Sequence, residues 1–383
     1  MSSSLPPEAY GAALATLPGM GPARLAALLA RWAPDEAWAR VLARRTVADP
    51  AVVAACRPDP AAVAAIWASA AARVDPSTVW AAHRKAGVAV AIEGAPQYPA
   101  ALAGDHEAPA VLFLKGAEGG LTGRRVAVVG TRRCTRYGAD VARQLGRDLA
   151  AAGVTVVSGL ALGIDGAAHE GALAARAAPP VAVVGSGLDV VYPRRHARLW
   201  AEVAASGVLL SEAPLGARPE PWRFPVRNRV IAALAEVVVV VESPSRGGSL
   251  HTVDAAVARD RPVMAVPGSV RSPASELPNA LLAEGCAPAR DALDVLSLLG
   301  ISSVAAVAGR GDDDPRPPPD DDSRTVLDAL GGEPATFDDL VTRSGLAPGP
   351  ASLALARLEE QGWVAGDRGW WHRAAAPSGG RWR

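Results

Sequence analysis

The hydrophobic pattern of this chain changes character near residue 88. Residues 5–85 are Ala-rich and broken at Pro18-Gly19, Pro34, Pro50 and Pro58-Asp59-Pro60, which predicts a series of short helices. Beyond residue 88 come short apolar runs: Val111–Leu114, Val126–Val129, Val154–Val157, Val181–Val184, Val208–Leu210, Val237–Val241 and Val263–Val266. Helical stretches are expected between them, at about Tyr137–Ala152 and Ala167–Ala178. Runs with no polar alternation belong to strands buried on both faces, hence to a parallel sheet covered by helices. Their spacing predicts an α/β fold with a doubly wound, mainly parallel sheet.

The pattern lapses over 309–322, GRGDDDPRPPPDDD, a stretch without apolar residues that reads as a linker. After it, helices are expected at Ser323–Leu330 with Ser323 as cap, from Thr336-Phe337-Asp338-Asp339, and over Ala351–Gln361. A strand pair, Trp363–Val364 and Trp370–His372, follows. Three helices and a β-hairpin are the parts of a winged helix. The expected domains are therefore 1–87, helical; 88–300, α/β; 301–322, linker; 323–375, winged helix; and 376–383, a tail.

Composition first argues against a polyanion partner, since 39 basic residues balance 39 acidic ones. Six aspartates and one arginine of that balance lie in 312–322, however, and about eighteen arginines face about fourteen acids over 126–290. Cys56, Cys134 and Cys286 are odd in number and far apart, fitting neither a disulfide framework nor a CxxC metal pair. The opening MSSSLPPEAYGAAL has no secretory pattern and no apolar run reaches membrane-span length, so the expectation is a cytoplasmic protein without a membrane span.

Chemistry is offered where the strands end. Gly130-Thr131-Arg132-Arg133, Ser158-Gly159, Gly185-Ser186-Gly187 and Arg246-Gly247-Gly248-Ser249 combine small residues with arginine. Small residues admit a phosphate close to backbone N–H groups, and open sheets bind ligands at this edge. VAVVGTRRCTRYG is not the dinucleotide GxGxxG, and no P-loop is present. Asp165 and His169 stand one helical turn apart without a third metal ligand. The segment Pro221-Trp222-Arg223-Phe224-Pro225-Val226-Arg227-Asn228-Arg229, read as a loop, joins arginines to aromatics in a chain otherwise only 4% aromatic. Arginine forks hold phosphate and aromatic faces stack bases, so single-stranded nucleic acid is the favoured ligand. Leu17-Pro18-Gly19-Met20-Gly21-Pro22-Ala23-Arg24 has the LPGxGxxR pattern of a helix-hairpin-helix, read either as a phosphate site or as a tight turn with no ligand.

Four blocks of this sequence resemble the DNA-processing protein A family (DprA/Smf). They are Val126–Arg132 with Tyr137-Gly138; Val157–Ala161 with Gly163-Ile164-Asp165 and Ala168-His169; Val184–Asp189 with Tyr192-Pro193; and Phe224-Pro225 with Arg227-Asn228-Arg229. The resemblance implies an extended Rossmann-like domain between a helical and a winged-helix domain. It implies binding rather than catalysis, with no cofactor and no metal. Its implied partners are single-stranded DNA, the RecA recombinase and a second copy of the chain, in protecting incoming DNA and loading RecA during natural transformation. Its implied DNA-binding residues are Gly130, Thr131, Arg132, Ser158, Gly159, Gly185, Ser186, Gly187, Phe224, Arg227, Asn228, Arg229, Gly248 and Ser249. The chain departs from the family pattern at His251 and over Leu277–Leu282. The alternatives are a Rossmann-like phosphoribohydrolase, which lacks its expected glutamate after Gly247-Gly248, and a winged-helix regulator of duplex DNA. The latter has weak support, since Arg357 shares its helix with Glu359 and Glu360.

Overall fold

The computed structural model describes residues 5–117, 121–301, 316–331, 334–367 and 369–374. Most of the expected linker and all of the 376–383 tail lie outside the described residues. The chain divides into two compact units, Met1–Gly309 and Arg310–Arg383.

In the first unit, six helices lead: α1 (Pro7–Ala15), α2 (Pro22–Leu29), α3 (Pro34–Leu42), α4 (Pro50–Ala55), α5 (Pro60–Ala71) and α6 (Pro76–Lys85). Proline opens each of them, where its fixed φ suits the helix and its missing N–H costs nothing. Asp49, Asp59 and Asp75 cap α4, α5 and α6 through their carboxylates. The prolines that punctuate the sequence are thus mostly helix starts.

The α/β part runs β1 (Ala89–Ile92), β2 (Val111–Gly116), β3 (Arg125–Val129), α7 (Arg136–Ala151), β4 (Thr155–Ser158), α8 (Ile164–Ala175) and β5 (Val181–Val184). It continues with α9 (Ala197–Ser206), β6 (Val208–Ser211), α10 (Arg223–Leu234), β7 (Val237–Val240), α11 (Leu250–Val257), β8 (Val263–Ala265), α12 (Glu276–Ala283), β9 (Ala287–Pro288) and α13 (Ala292–Leu298). The nine strands form one sheet in the order β1-β2-β6-β5-β4-β3-β7-β8-β9, parallel from β6 to β9, with β1 and β2 antiparallel at one edge. Consecutive β3 residues serve opposite faces: Val126 and Val128 enter one apolar core, Ala127 and Val129 another. That is the physical content of the unalternating valine runs.

The helical segment shares its core with the sheet. Leu14, Leu28, Trp38 and Trp67 pack in one cluster with Phe113, Val184, Leu209 and Trp200. Residues 5–87 therefore belong to the same compact unit as the α/β part.

The second unit holds helices Asp321–Leu330, Phe337–Ser344 and Pro348–Glu360 and a three-stranded sheet, β10 (Ala335–Thr336), β12 (Trp370–Arg373) and β11 (Val364–Asp367) in that order. Two expectations are corrected here. Asp321 and Asp322, placed in the linker, open the first helix, and its cap is Asp320, whose carboxylate accepts the Ser323 N–H at 2.8 Å. Ser323 itself is buried. Aspartate caps better than it spaces: its short carboxylate reaches the first free N–H groups of a helix.

Candidate nucleic-acid interface

The winding direction reverses between β3 and β7, so the ligand crevice of this fold lies at their C-terminal ends. In a dinucleotide-binding protein a pyrophosphate would meet the N-terminus of the helix after the first strand. Here that place is filled by the chain itself. Glu242, buried at the end of β7, accepts the Thr135 N–H at 2.8 Å and the Thr135 hydroxyl at 2.6 Å, just before α7. Its backbone carbonyl accepts the Thr131 N–H at 2.6 Å. A Cβ on Gly138 would lie 2.2 Å from the Glu242 carboxylate, so the absence of a side chain there lets the acid reach the helix. The clasp satisfies the helix dipole with a fixed anion and holds the 130–135 turn.

Beneath this turn lies a second buried device. The segment around Arg227, expected as a loop, is the first half of α10; Pro225 falls within the first helical turn, where it is tolerated. Arg227 is 7% exposed and donates to the Gly159 carbonyl at 2.7 Å and to the Val183 carbonyl, joining the ends of β4 and β5. Burial pushes its guanidinium down to about 10, so it stays charged at neutral pH, favoured by nearby Asp165. Burial raises the Asp165 carboxyl, against the opposing pull of Arg227 and of the Ala161 and Gly159 N–H groups. Gly159 lies directly under the guanidinium, where a Cβ would stand 2.3 Å from Nη2. One turn along α8, His169 is fully buried and among the described residues neither ring nitrogen has a partner at hydrogen-bond geometry; burial depresses it to about 3. Among the described residues no His, Cys, Asp and Glu cluster suits a metal.

The residues singled out from the sequence therefore divide into floor and rim. Ser158 donates its hydroxyl to the Val128 carbonyl and Ser186 to that of Val190; both are buried, as is Ser249. Gly130 packs on Ile164, Gly185 on Phe224, and Gly187 donates its N–H to the Ala217 carbonyl. The side chains of Ser158, Ser186, Arg227 and Ser249 are buried in the framework and form the floor under the proposed track. Arg229 is also committed, to Glu212 at 2.6 Å and to the Glu107 carbonyl. Asn228 donates to the Gly248 carbonyl at 3.1 Å. Arg132 and Gly248 are exposed, and Thr131 and Phe224 partly so.

Besides Arg132, the rim holds cations that the family motifs do not mark. Among the described residues, exposed Arg132, Arg133, Arg194, Arg195, Arg218 and Arg246 have no carboxylate partner, and all lie on segments following β3, β5, β6 or β7. The acids of the same segments are engaged. Asp189 accepts the Gly216 N–H at 2.8 Å, and Glu220 accepts the Trp222 indole N–H and pairs with Arg223. Glu212 pairs with Arg229, and Glu276 accepts the Ser245 N–H. The result is a positively charged edge whose own acids are satisfied. Arg194-Arg195 was readable as a dipeptide; that its charges stay unpaired was not.

The Leu17–Arg24 hairpin lines a separate cleft of about 1050 Å³ with Pro214–Ala217, Trp222 and Arg223. Its turn is self-satisfied: Gly21 N–H bonds the Gly19 carbonyl, Pro22 has no N–H, and Arg24 donates to the Gly19 and Ala55 carbonyls. Glu93, Asp105, Glu107 and Glu220 line the same cleft, which favours the tight turn over the phosphate site. The departures also find places. His251 is exposed on α11, and Asn279 on α12 clasps Gly268 through both its N–H and its carbonyl.

Comparison with known proteins agrees with this geometry. Residues 89–300 match the family model of DNA recombination-mediator protein A, and residues 311–369 match the DprA winged helix domain. The chain is similar to protein Smf of Escherichia coli, 36% identical over 277 residues, 70% of this chain and 72% of that protein. It is 42% identical over 262 residues to a Mycobacterium tuberculosis protein that carries the DprA name; the match spans 67% of this chain and 66% of that protein. The X-ray structure of DNA processing protein A from Streptococcus pneumoniae superposes with a TM-score of 0.64 at 29% identity, covering 76% of this chain and 98% of that one. The fold, the strand-end motifs and these matches agree: the chain belongs to the DNA recombination-mediator protein A family, the DprA/Smf group.

Proposed function

We propose that this chain binds single-stranded DNA along the C-terminal edge of its parallel sheet and acts there without catalysing a reaction. The observation that carries the proposal is the set of unpaired arginines on four strand-end segments, standing over a floor whose acids are all engaged. Released counterions would supply most of the affinity. Exposed Tyr192 and Trp222 offer π-faces that a paired base in a duplex cannot reach. Such binding would protect incoming DNA and present it to RecA, with two copies of the chain acting together in the cytoplasm. No helix among the described residues is long and apolar enough to cross a membrane.

Competitive gel-shift titration of single- and double-stranded oligonucleotides at two salt concentrations, with and without RecA, is the test. Preference for the single strand, a steep salt slope and faster RecA filament assembly are expected. Equal affinity for both strands or no salt slope would sink the binding assignment. Unchanged RecA assembly would remove the loading role alone. Release of free base from nucleoside monophosphates by the purified protein would restore the phosphoribohydrolase alternative.

A further inference from the structure

The strand-end surface has a base-stacking candidate, and it is not the phenylalanine of the motif. Phe224 looks suited to a base because it sits among arginines, but its ring is partly covered. The Arg132 guanidinium lies over it, 4.8 Å from the centroid, and the Tyr192 ring leans on it with centroids 5.4 Å apart at 36°. Gly185 closes against its Cδ1 and Cε1, where a Cβ would come within 3.3 Å. A base reaching Phe224 would have to displace one of these neighbours. Tyr192, resting on Phe224, is 39% exposed, and among the described residues its hydroxyl has no partner.

Its surroundings suit a nucleotide. Arg194 and Arg195, without a carboxylate partner among the described residues, follow it closely in the chain, and Arg132, likewise without one, lies over the Phe224 ring it rests on. The segment leading to it is held by the bond from Ser186 to the Val190 carbonyl and by Asp189 accepting the Gly216 N–H. Trp222, the rival exposed aromatic, carries the Arg223 guanidinium 4.5 Å from its ring centroid and lines the cleft with four carboxylates.

We infer that Tyr192 is a base-stacking residue of the strand-end surface and that Phe224 is a positioning residue holding its ring. The inference rests on the single-stranded DNA reading above and names the group that would sense the base. An aromatic face beside cations lets the backbone track along arginine while the base covers the ring, giving affinity with little sequence preference.

The test separates base from backbone. The full chain and its Tyr192→Leu, Tyr192→Gln, Tyr192→Phe and Phe224→Leu variants are titrated with an oligothymidylate of about 15 nucleotides and with an abasic sugar–phosphate oligomer of equal length. Wild type and Tyr192→Phe should prefer the oligomer that carries bases. Tyr192→Leu and Tyr192→Gln should lose about tenfold of that preference, with unchanged affinity for the abasic oligomer and an unchanged salt slope. Phe224→Leu should lose a smaller part. An unchanged preference in both the Leu and the Gln variant overturns the inference, and so does an equal loss on both oligomers, which would mark a structural role. Failure of the wild type to bind either oligomer would instead overturn the single-stranded DNA reading, and this inference with it.

Discussion

Two arginine-bearing regions of this protein look alike in sequence and differ in what most of their arginines do; in the second unit exposed Arg343 is the exception, with no carboxylate partner among the described residues. At the strand-end rim, six arginines have no carboxylate partner among the described residues. In the second unit, Arg357 bonds Asp320 at 2.6 Å, Arg373 donates to the Leu327 carbonyl and lies 3.7 Å from Asp328, and Arg324 donates to the Pro319 carbonyl. Arg316 lies over the Trp363 ring and donates to the Gly362 and Ala374 carbonyls. The difference teaches that an arginine count reports little; what matters is whether each fork is already filled. Arg357, on the helix that reads DNA in many winged helices, ties that helix to the cap of the first. This favours a protein-contacting or accessory role for the second unit.

The same contrast runs within the first unit, between buried Arg227 and exposed Arg132, and removing Arg227 should have the largest effect. Arg227→Met would strand two carbonyls and leave Asp165 buried without its nearby cation. Chemical denaturation should show a loss of about 3 kcal/mol or more. A variant as stable as wild type would mean the buried fork is dispensable and the floor–rim distinction wrong.

Changing the rim should do the reverse, leaving stability alone and weakening binding. Replacing Arg132, Arg133, Arg194 and Arg195 by Gln should reduce the slope of log K against log salt by about 3, and affinity by tens of fold at moderate salt. Fluorescence anisotropy across a salt series measures both. An unchanged slope would place the DNA elsewhere.

Acid should sharpen the contrast further. His169 stays neutral in the folded unit because burial holds it near 3, whereas the unfolded chain takes up a proton below about 6.5. The fold therefore loses stability as pH falls from about 6.5 toward 3. His83, also depressed by burial, acts in the same direction, while Asp165, with its raised carboxyl, opposes. Between pH 6.5 and 5 His169 costs about 1.5 kcal/mol, and His169→Gln should lose less than wild type over that interval in calorimetry. Equal losses would show that His169 titrates normally.

The smallest effect is expected from the second unit. Arg357→Gln should change single-strand affinity less than about twofold and leave the salt slope within about 0.3. A slope change near that of a rim arginine would put the winged helix on the strand.

The α/β fold was legible because its signal is local. A short Val-rich or apolar run without polar alternation suits a strand buried on both faces of a covered sheet, and seven such runs marked seven of the nine strands of that sheet. The motif residues were legible too, since small residues at strand ends are a one-dimensional pattern. Their division of labour was not. Phe224 and Arg227 are three residues apart in one helical turn, yet one lies under Arg132 and Tyr192 while the other is sealed between Gly159 and Val183. In the sequence Glu242 is only the end of a valine run; its role as a clasp is hidden because its partner Thr135 lies 107 residues away.

What the sequence determined alone was the alternation of strands and helices, the prolines as boundaries between short helices, and the family. Those depend on neighbours along the chain, whose propensities and spacing are written residue by residue. Tertiary structure decided which arginines are free, which carboxylates are spent, and which aromatic ring keeps an open face. The reason is physical: charge pairing and burial are set by groups brought together from distant segments, so the same side chain is a strut or a ligand contact according to what folds against it.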